Sequence, residues 1–561
     1  MGSLELQASS GLATVAWHRI NWATCHRRVR SLQRRIVQAV RTGAWRKVKR
    51  LCYLLVHSLA ACALAVKRVT ENAGKNTPGV DGERWETPAL KAWAVETIGR
   101  WRGYQPAPLK RVYIPKKNGK RRPLSIPALE DRARQAVYLH ALQPIAETTG
   151  EPNSYGFRPK RQGADAIDQC FKILRQKTSA SWILEGDIQG FFDNIAFSWI
   201  GQHVPMNKRM LSKWLHSGFM DRGSLFPTTS GVPQGGIVSP VIANMVLDGL
   251  ENVVKGHERF RRAYNINYVR YADDFIATAN NREVIEETII PRINAFLAAR
   301  GVVLSAEKTT ITHIAQGFDF LGQTIRKFER PKKPAKLQVT PSKASLQALK
   351  AKVKALCQRF AGHTPAQLID TLAPVLRGWA NYHRHVICAE TFAKLDNYVW
   401  QQVYRWARDR HPHKTGRWIA ARYFPHGPGQ AWRFTDPATG KTLIRVQEAV
   451  KQQRHVKVKA NANPFDPEWE AYFQHRDKQL ARASTTAFKG KVLGQQQGIC
   501  PGCRQVIQYA EPLELHHRDG HHQNNRLANL VVLHPNCHRQ VHSAPDNQTV
   551  PSRPLRGVGH A

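Results

Sequence analysis

The sequence predicts a multidomain protein of the α+β class, and three observations carry that reading. The chain has 561 residues and 42% hydrophobic content, enough for roughly three to five domains with cores of their own. Two short apolar, β-branched runs, Ile266–Arg270 and Phe275–Ala279, flank a polar turn, whereas long stretches toward both ends carry helical spacing. Cysteine and histidine pairs at Cys500-x2-Cys503 and His534-x2-Cys537 would staple a segment too small to hold much core.

Charge narrows the partners. Lys and Arg number 84 against 41 Asp and Glu, a net charge of +43 with His neutral. A polyanion is the natural counterpart, because neutralising phosphates releases counterions. Nucleic acid is therefore the first partner to expect, with an anionic membrane as the rival. The start of the chain has no secretory pattern. Apart from Cys500-Pro-Gly-Cys503, the nine cysteines are scattered, which fits a reducing compartment rather than a disulfide framework.

Taken in order, residues 1–50 carry eleven Lys or Arg and one Glu. Val29, Leu32, Ile36 and Val40 recur at helical spacing among Arg28, Arg30, Arg34, Arg35 and Arg41. Such a helix lies along a phosphate backbone or on a bilayer. Leu51–Val66 has no Lys, Arg, Asp or Glu but is too short to span a membrane, and predicts one buried helix. Residues 76–82 predict a defined loop. Arg111–Lys117 and Lys120–Pro127 around Asn118-Gly119 predict a basic hairpin, followed by a helix from Asp131.

Trp182–Ile188 predicts a strand ending at Asp187. Ser230–Pro240 is rich in small residues that permit close backbone approach, and a helix follows on Ile242, Met245, Val246 and Leu250. The runs around residues 271–274 predict a hairpin with Asp273 and Asp274 at its tip. Adjacent acids repel; they are cheap when solvated and useful when they share divalent cations. Asp187, 86 positions upstream, is expected to face Asp273 across adjacent strands. Arg330–Lys336 predicts a stiff basic connector, and Lys343–Phe360 and Pro365–Arg384 predict helices. Trp379 and Tyr382 are read as core, with stacking on RNA as the alternative.

These blocks resemble a known family. Tyr271-Ala272-Asp273-Asp274 between apolar strands is similar to the catalytic hairpin of reverse transcriptases. The basic hairpin, Asp187, Pro233-Gln234-Gly235, the acid pair, Lys308 and Phe320-Leu321-Gly322 follow the motif order of that class over roughly residues 110 to 325. Trp17, Ile20-Asn21-Trp22, the Thr77–Gly82 run, Leu376–His383 and Asn463–Trp469 resemble group II intron-encoded proteins. Glu514–Gly520, Asn529 and Cys537-His538-x3-His542 resemble an HNH nuclease. His534 stands where the zinc pair is commonly Cys.

The resemblance implies a right-hand polymerase of the α+β class, divided as follows: a basic helical extension over 1–105, fingers over 106–180, palm over 181–330, a helical thumb or maturase domain over 331–425, a DNA-binding region over 426–488, a zinc-stapled ββα-metal HNH domain over 489–548, and a tail over 549–561. It implies Mg²⁺ on Asp187, Asp273 and Asp274 for two-metal nucleotidyl transfer. Lys120 and Arg122 would meet template or nucleotide phosphates, Phe192 the nucleotide sugar, Gln234 and Gly235 the template or nucleotide, and Lys308 the triphosphate. A core aromatic is the alternative for Phe192.

In the nuclease, His517 would be the general base, and Asn529 would hold the hairpin and orient that base. His516 and His538 would ligate the catalytic cation, with His542 as an accessory ligand or phosphate contact. Zn²⁺ would sit on Cys500, Cys503, His534 and Cys537. The expected partners are intron RNA, double-stranded target DNA, and dNTPs with an RNA template and DNA primer, and no membrane. The expected place is a bacterial cytoplasm, at the nucleoid when DNA is bound. The alternatives are a reverse transcriptase of another retroelement, a pure RNA-folding maturase, and a zinc-stapled DNA-binding module without cleavage.

Overall fold

The computed structural model describes residues 17–115, 119, 121–425, 432–484, 487–508 and 511–543. The first long helix, Trp22–Arg41, starts where the Asn21 side chain accepts from Thr24 N. It buries Val29, Ile36 and Val40 and leaves Arg28, Arg30 and Arg35 exposed. The expected single helix over Leu51–Val66 is two: Trp45–Val56 and Leu59–Glu71 meet at 64°. His57 Nδ1 meets the Tyr53 carbonyl at 2.8 Å, and Ser58 takes an extended backbone that redirects the chain. Among the described residues no single helix is long and apolar enough to cross a membrane. Leu59–Glu71 is instead largely buried, beside the helix Leu129–Thr149.

Leu129–Thr149 is buried on most sides, and its polar groups tie loops to it. Arg134 Nη1 donates to the carbonyls of Ile98 and Arg100 at 3.0 and 2.9 Å. Arg132 donates to those of Gly74 and Thr77 at 3.0 and 2.7 Å, which gives the 76–82 loop its anchor.

Strands β1 (Leu109–Pro115) and β2 (Arg121–Ile126) form the expected antiparallel hairpin. After β3 (Trp182–Gly186), β4 (Phe219–Asp221) and β5 (Ser224–Phe226) extend that first sheet in the order β2-β1-β4-β5. Strands β6 (Asn267–Tyr271), β7 (Asp274–Ala279) and β8 (Thr310–His313) join β3 in a second sheet, ordered β6-β7-β3-β8, with every pair antiparallel.

Strands β9 (Phe318–Phe320), β10 (Gln323–Arg330) and β11 (Lys333–Pro341) form a third sheet. The basic connector expected over Arg330–Lys336 is thus the end of a hairpin: Arg330 pairs with Lys333 around Pro331-Lys332. Proline pre-sets the first corner of a turn and Lys332, at φ 56°, takes the left-handed second.

The helices Lys343–Arg359, Pro365–His383, Ala389–Arg410 and Gly416–Tyr423 enclose a separate core of Leu349, Val353, Leu372, Leu376, Leu395 and Val403. Tyr382 is not core, contrary to expectation. It is 49% exposed, and its Oη donates to the Leu321 carbonyl at 2.8 Å, bracing the turn between β9 and β10.

The chain then returns across the earlier domains. Asp165, fully buried, receives His455 Nε2 at 2.8 Å, Val458 N at 2.7 Å and Arg476 Nη2 at 2.9 Å. Lys160 pairs with Asp477 at 2.6 Å. The last described elements are the helix Ala487–Gln495, the hairpin of β12 (Glu514–His517) and β13 (Leu530–Leu533), and the helix Pro535–Ser543. They rest on the first described ones: Trp17 Nε1 donates to Asn536 Oδ1 at 3.2 Å inside a shared apolar core.

Burial pushes the Asp165 carboxyl up, but His455 and Arg476 outweigh it and hold it below its ordinary value. Its contribution is therefore present above about pH 4 and lost as pH falls further. Asp165→Ala leaves Arg476 buried without its carboxylate and should cost about 3 kcal/mol at pH 7. Urea denaturation checks this, and an unchanged midpoint would contradict it.

Candidate active site and metal cluster

In the β6–β7 ladder Tyr271 stands opposite Asp274, so Ala272 and Asp273 form a two-residue turn. Ala272 has φ 60°, a left-handed position that hairpin turns usually give to glycine. For alanine this costs on the order of 1 kcal/mol. The surroundings hold it in place. Arg270 Nη1 donates to the Ala272 carbonyl at 3.3 Å. The segment 153–155 runs beside β6, with Arg270 N on Asn153 O and Tyr155 N on Arg270 O, both at 2.9 Å. Gly156 then lies against the turn itself, since a Cβ there would stand 2.2 Å from Ala272 N.

Arg270 is fully buried and pairs with Glu151 at 3.3 Å, Asp248 at 3.1 Å and Asn244 Oδ1 at 3.1 Å. Burial pushes Glu151 up to about 7, while Arg270 pulls it down. A charge inside an apolar strand run was the sequence signal for Arg270, whose role the sequence reading missed.

β3 ends at Gly186, opposite Phe275, whose ring fills the space a Cβ would need. Asp187 follows, and its carbonyl accepts from Ser305 N at 2.8 Å. On the side of the acid turn β3 pairs with β7, with Gly186 opposite Phe275, so the acid across the ladder from Asp187 is Asp274, while Asp273 sits in the turn. The Asp187 carboxyl lies near enough to that of Asp274 to raise it. Asp274 has exposed surface, yet the protein around it partly desolvates its carboxyl. That burial, then the charges of Asp273 and Asp187, push it up to about 7. Burial, then Asp187, raise Asp273 as well. Lys308 Nζ donates to Asp187 Oδ2 at 2.6 Å, which raises the lysine. Three carboxylates that repel one another, with oxygen the only donor type among them, suit a hard divalent cation.

The other expected contacts border this corner. Phe192 is half-buried, edge-to-face with Phe191 at 5.7 Å and Phe157 at 6.1 Å. Gln234 Nε2 donates to Asp193 Oδ2 at 3.4 Å, and the Gln234 carbonyl accepts from Ser125 N at 2.9 Å. Gly235, at φ 136°, lies so close to β2 that a Cβ would stand 2.6 Å from Ser125 O. Arg122 is exposed on β2, near enough for its charge to act on Asp273. Lys120 lies outside the described residues.

The C-terminal histidines and cysteines fall into two groups. The sulfur and nitrogen atoms of Cys500, Cys503, His534 and Cys537 all lie within 4.8 Å of one another. His534 turns Nδ1 to Cys503 Sγ at 3.3 Å and Nε2 to Glu511 at 3.1 Å, the carboxylate-on-histidine arrangement that orients metal ligands. Hydrogen bonds from Cys503 and Cys537 hold the Cys500 thiol far below its usual range. These four residues could hold a metal ion.

His516 on β12 meets His538 and His542, one helical turn apart on Pro535–Ser543, again within 4.8 Å. His538 Nδ1 donates to Glu514 at 2.7 Å. Burial, then the two other rings, lower His516 to about 4, which keeps it neutral and able to ligate. His542, expected only as an accessory, is a full member of this group. Glu511 and Glu514 were not foreseen.

Asn529 does hold the loop: its Oδ1 accepts from Asp519 N at 3.1 Å, and its Nδ2 donates to Asp519 Oδ1 at 2.8 Å and Asn524 O at 2.9 Å. It does not orient His517 directly. Asn525 takes that place, with its Oδ1 3.3 Å from His517 Nε2. Asn529 is committed to the loop that carries both.

Comparison with known proteins gives three matching family models. Residues 17–98 match the N-terminal domain of reverse transcriptase, 114–325 match reverse transcriptase (RNA-dependent DNA polymerase), and 346–424 match the group II intron maturase-specific domain. Protein YkfC of Escherichia coli K12 is 32% identical over 346 residues, covering 54% of this chain and 90% of that protein. The group II intron-encoded protein LtrA of Lactococcus lactis is 31% identical over 287 residues, covering 40% of this chain and 47% of LtrA. The putative COX1/OXI3 intron 2 protein of Saccharomyces cerevisiae is 25% identical over 293 residues, covering 41% of this chain and 33% of that protein. The chain thus spans under half of LtrA and a third of the yeast protein.

Gly156→Ala would drive a methyl into the backbone of the acid turn. It should destabilise the fold by about 1–3 kcal/mol, as overpacking does. Denaturation would measure this, and wild-type stability would contradict the close approach.

Proposed function

Because the chain belongs to the family of reverse transcriptases with a group II intron maturase domain, we propose that it serves a mobile intron by target-primed reverse transcription. In this reading the protein binds its intron RNA and favours the splicing-competent fold, while RNA performs the splicing. One DNA strand receives the intron RNA, the C-terminal module nicks the other, and the polymerase extends the new 3′ end by copying RNA. The setting is a bacterial cytoplasm, at the nucleoid when target DNA is bound.

The observation that carries the polymerase site is the convergence of Asp187, Asp273 and Asp274 beside Lys308. These acids would hold Mg²⁺, which supplies charge neutralisation and a more acidic primer hydroxyl. The chain's own groups do the rest. Lys308 is placed to leave Asp187 for a triphosphate, exchanging one anionic partner for another. Phe192 closes the sugar side against a 2′ hydroxyl. Gln234 and Gly235, fixed on the β2 edge, meet the template or incoming nucleotide, with Arg122 and Lys120 on the phosphates.

For the second site the reading is an HNH nuclease with a structural Zn²⁺ on Cys500, Cys503, His534 and Cys537. His516, His538 and His542 would hold the catalytic cation. With Nε2 tied to Asn525, His517 offers Nδ1 as the base that takes a proton from water.

Primer extension on an RNA template tests the first site. Asp273→Ala should lower the rate about a hundredfold or more; undiminished synthesis would overturn the assignment. For the second, His517→Ala should abolish nicking of the second strand yet leave primer extension intact. Elemental analysis should find one zinc per chain, lost in Cys503→Ser. Unchanged nicking, or zinc retained by that variant, would refute the corresponding role.

A further inference from the structure

Phe157 is held in a costly state. Its backbone is left-handed, at φ 57°, where bulky side chains rarely sit. Its ring is 52% exposed, so apolar surface stays in water. Neither feature serves the fold, yet both neighbours enforce them. On one side Gly156 is wedged against the acid turn, and its carbonyl accepts from Asn244 Nδ2 at 2.9 Å. On the other, buried Arg158 grips Glu147 through Nε and Nη2 at 2.8 and 2.9 Å and donates to Ser154 O at 3.1 Å. Two such anchors fix the backbone of residue 157 between them.

The ring points somewhere specific. It meets Phe192 edge-to-face at 6.1 Å, one residue from the backbone of the Ala272–Asp273 turn. Phe192 is half-buried, whereas Phe157 presents free apolar surface. Together they make a two-ring wall, joined through Gly156 to the backbone of the acid turn. Strain kept next to a reacting centre signals a role in that chemistry rather than in packing.

We propose that Phe157 is a specificity-determining residue, whose ring packs on the sugar edge of the base pair at the growing primer end and continues the wall begun by Phe192. The inference rests on the polymerase reading above. A deoxyribose lacks the 2′ hydroxyl and presents C–H groups there, and an aromatic ring packs on them without reading sequence. A mispair shifts the sugar and loses the contact. Phe157 therefore favours extension of matched ends.

Phe157→Gly separates this role from a structural one, because glycine removes the ring and relieves the left-handed strain together. The test is single-nucleotide extension from matched and mismatched primer ends, with thermal melting of each protein. Phe157→Gly should stay folded at the assay temperature, because relief of the left-handed strain offsets part of the lost contact with Phe192. It should lose about tenfold in kcat/KM on the matched end, the worth of one apolar contact, with a smaller loss on the mismatched end. Phe157→Tyr should restore the preference. A folded Phe157→Gly protein that keeps wild-type discrimination would overturn the proposal alone. A wild-type protein that extends no primer would overturn the polymerase reading with it.

Discussion

Three carboxylates are forced into one corner of the central sheet, and keeping them there is the constraint on which the surrounding structure depends. Asp187 arrives from the end of β3, Asp274 from the start of β7, and Asp273 from the turn between. Burial, then the charges of Asp273 and Asp187, push Asp274 up to about 7. The turn cannot relax, because buried Arg270 holds the Ala272 carbonyl and Gly156 occupies the space behind it. Arg270 is itself kept in place by Glu151 and Asp248. A largely buried polar network thus supports a charged one, and the fold's least comfortable groups sit at the acid turn.

Much of this was legible in the sequence because the signals are local. Alternation and turn chemistry marked β1–β2 and β6–β7, helical spacing marked Trp22–Arg41 and the four-helix region, and ligand spacing marked the Cys500–Cys537 group. What failed was long-range or conformational. Leu51–Val66 is apolar throughout, and apolarity does not announce a break that a His57 side chain makes by capping the turn before it. Arg330–Lys336 is basic, and charge hid a turn that Pro331 and Lys332 form by backbone preference. Tyr382 and Asn525 take their meaning from partners, the Leu321 carbonyl and His517, that spacing alone does not reveal.

The excess positive charge is not all available to a polyanion. Arg30 and Arg34 at the first helix reach Glu470 at 3.2 and 2.5 Å, and Arg41 pairs with Asp466. The returning segment therefore fastens the basic helix from one side, while Asn536 and Gln540 fasten Trp17, His18 and Ile20 from the other. The consequence is mechanical: the basic N-terminal helices, the polymerase fold and the C-terminal cysteine and histidine clusters are held through shared contacts rather than strung on free linkers. RNA gripped by one would bear on the placement of the others.

The central claim is that these three acids act together on divalent cations. The most direct measurement is a Mn²⁺ titration, followed by the ion's paramagnetic signal, of the zinc-loaded protein bound to an RNA template and DNA primer. The wild type should bind Mn²⁺ that a variant carrying Asp187→Asn, Asp273→Asn and Asp274→Asn does not, with binding at the histidine group common to both. Identical titrations of the two proteins would contradict it.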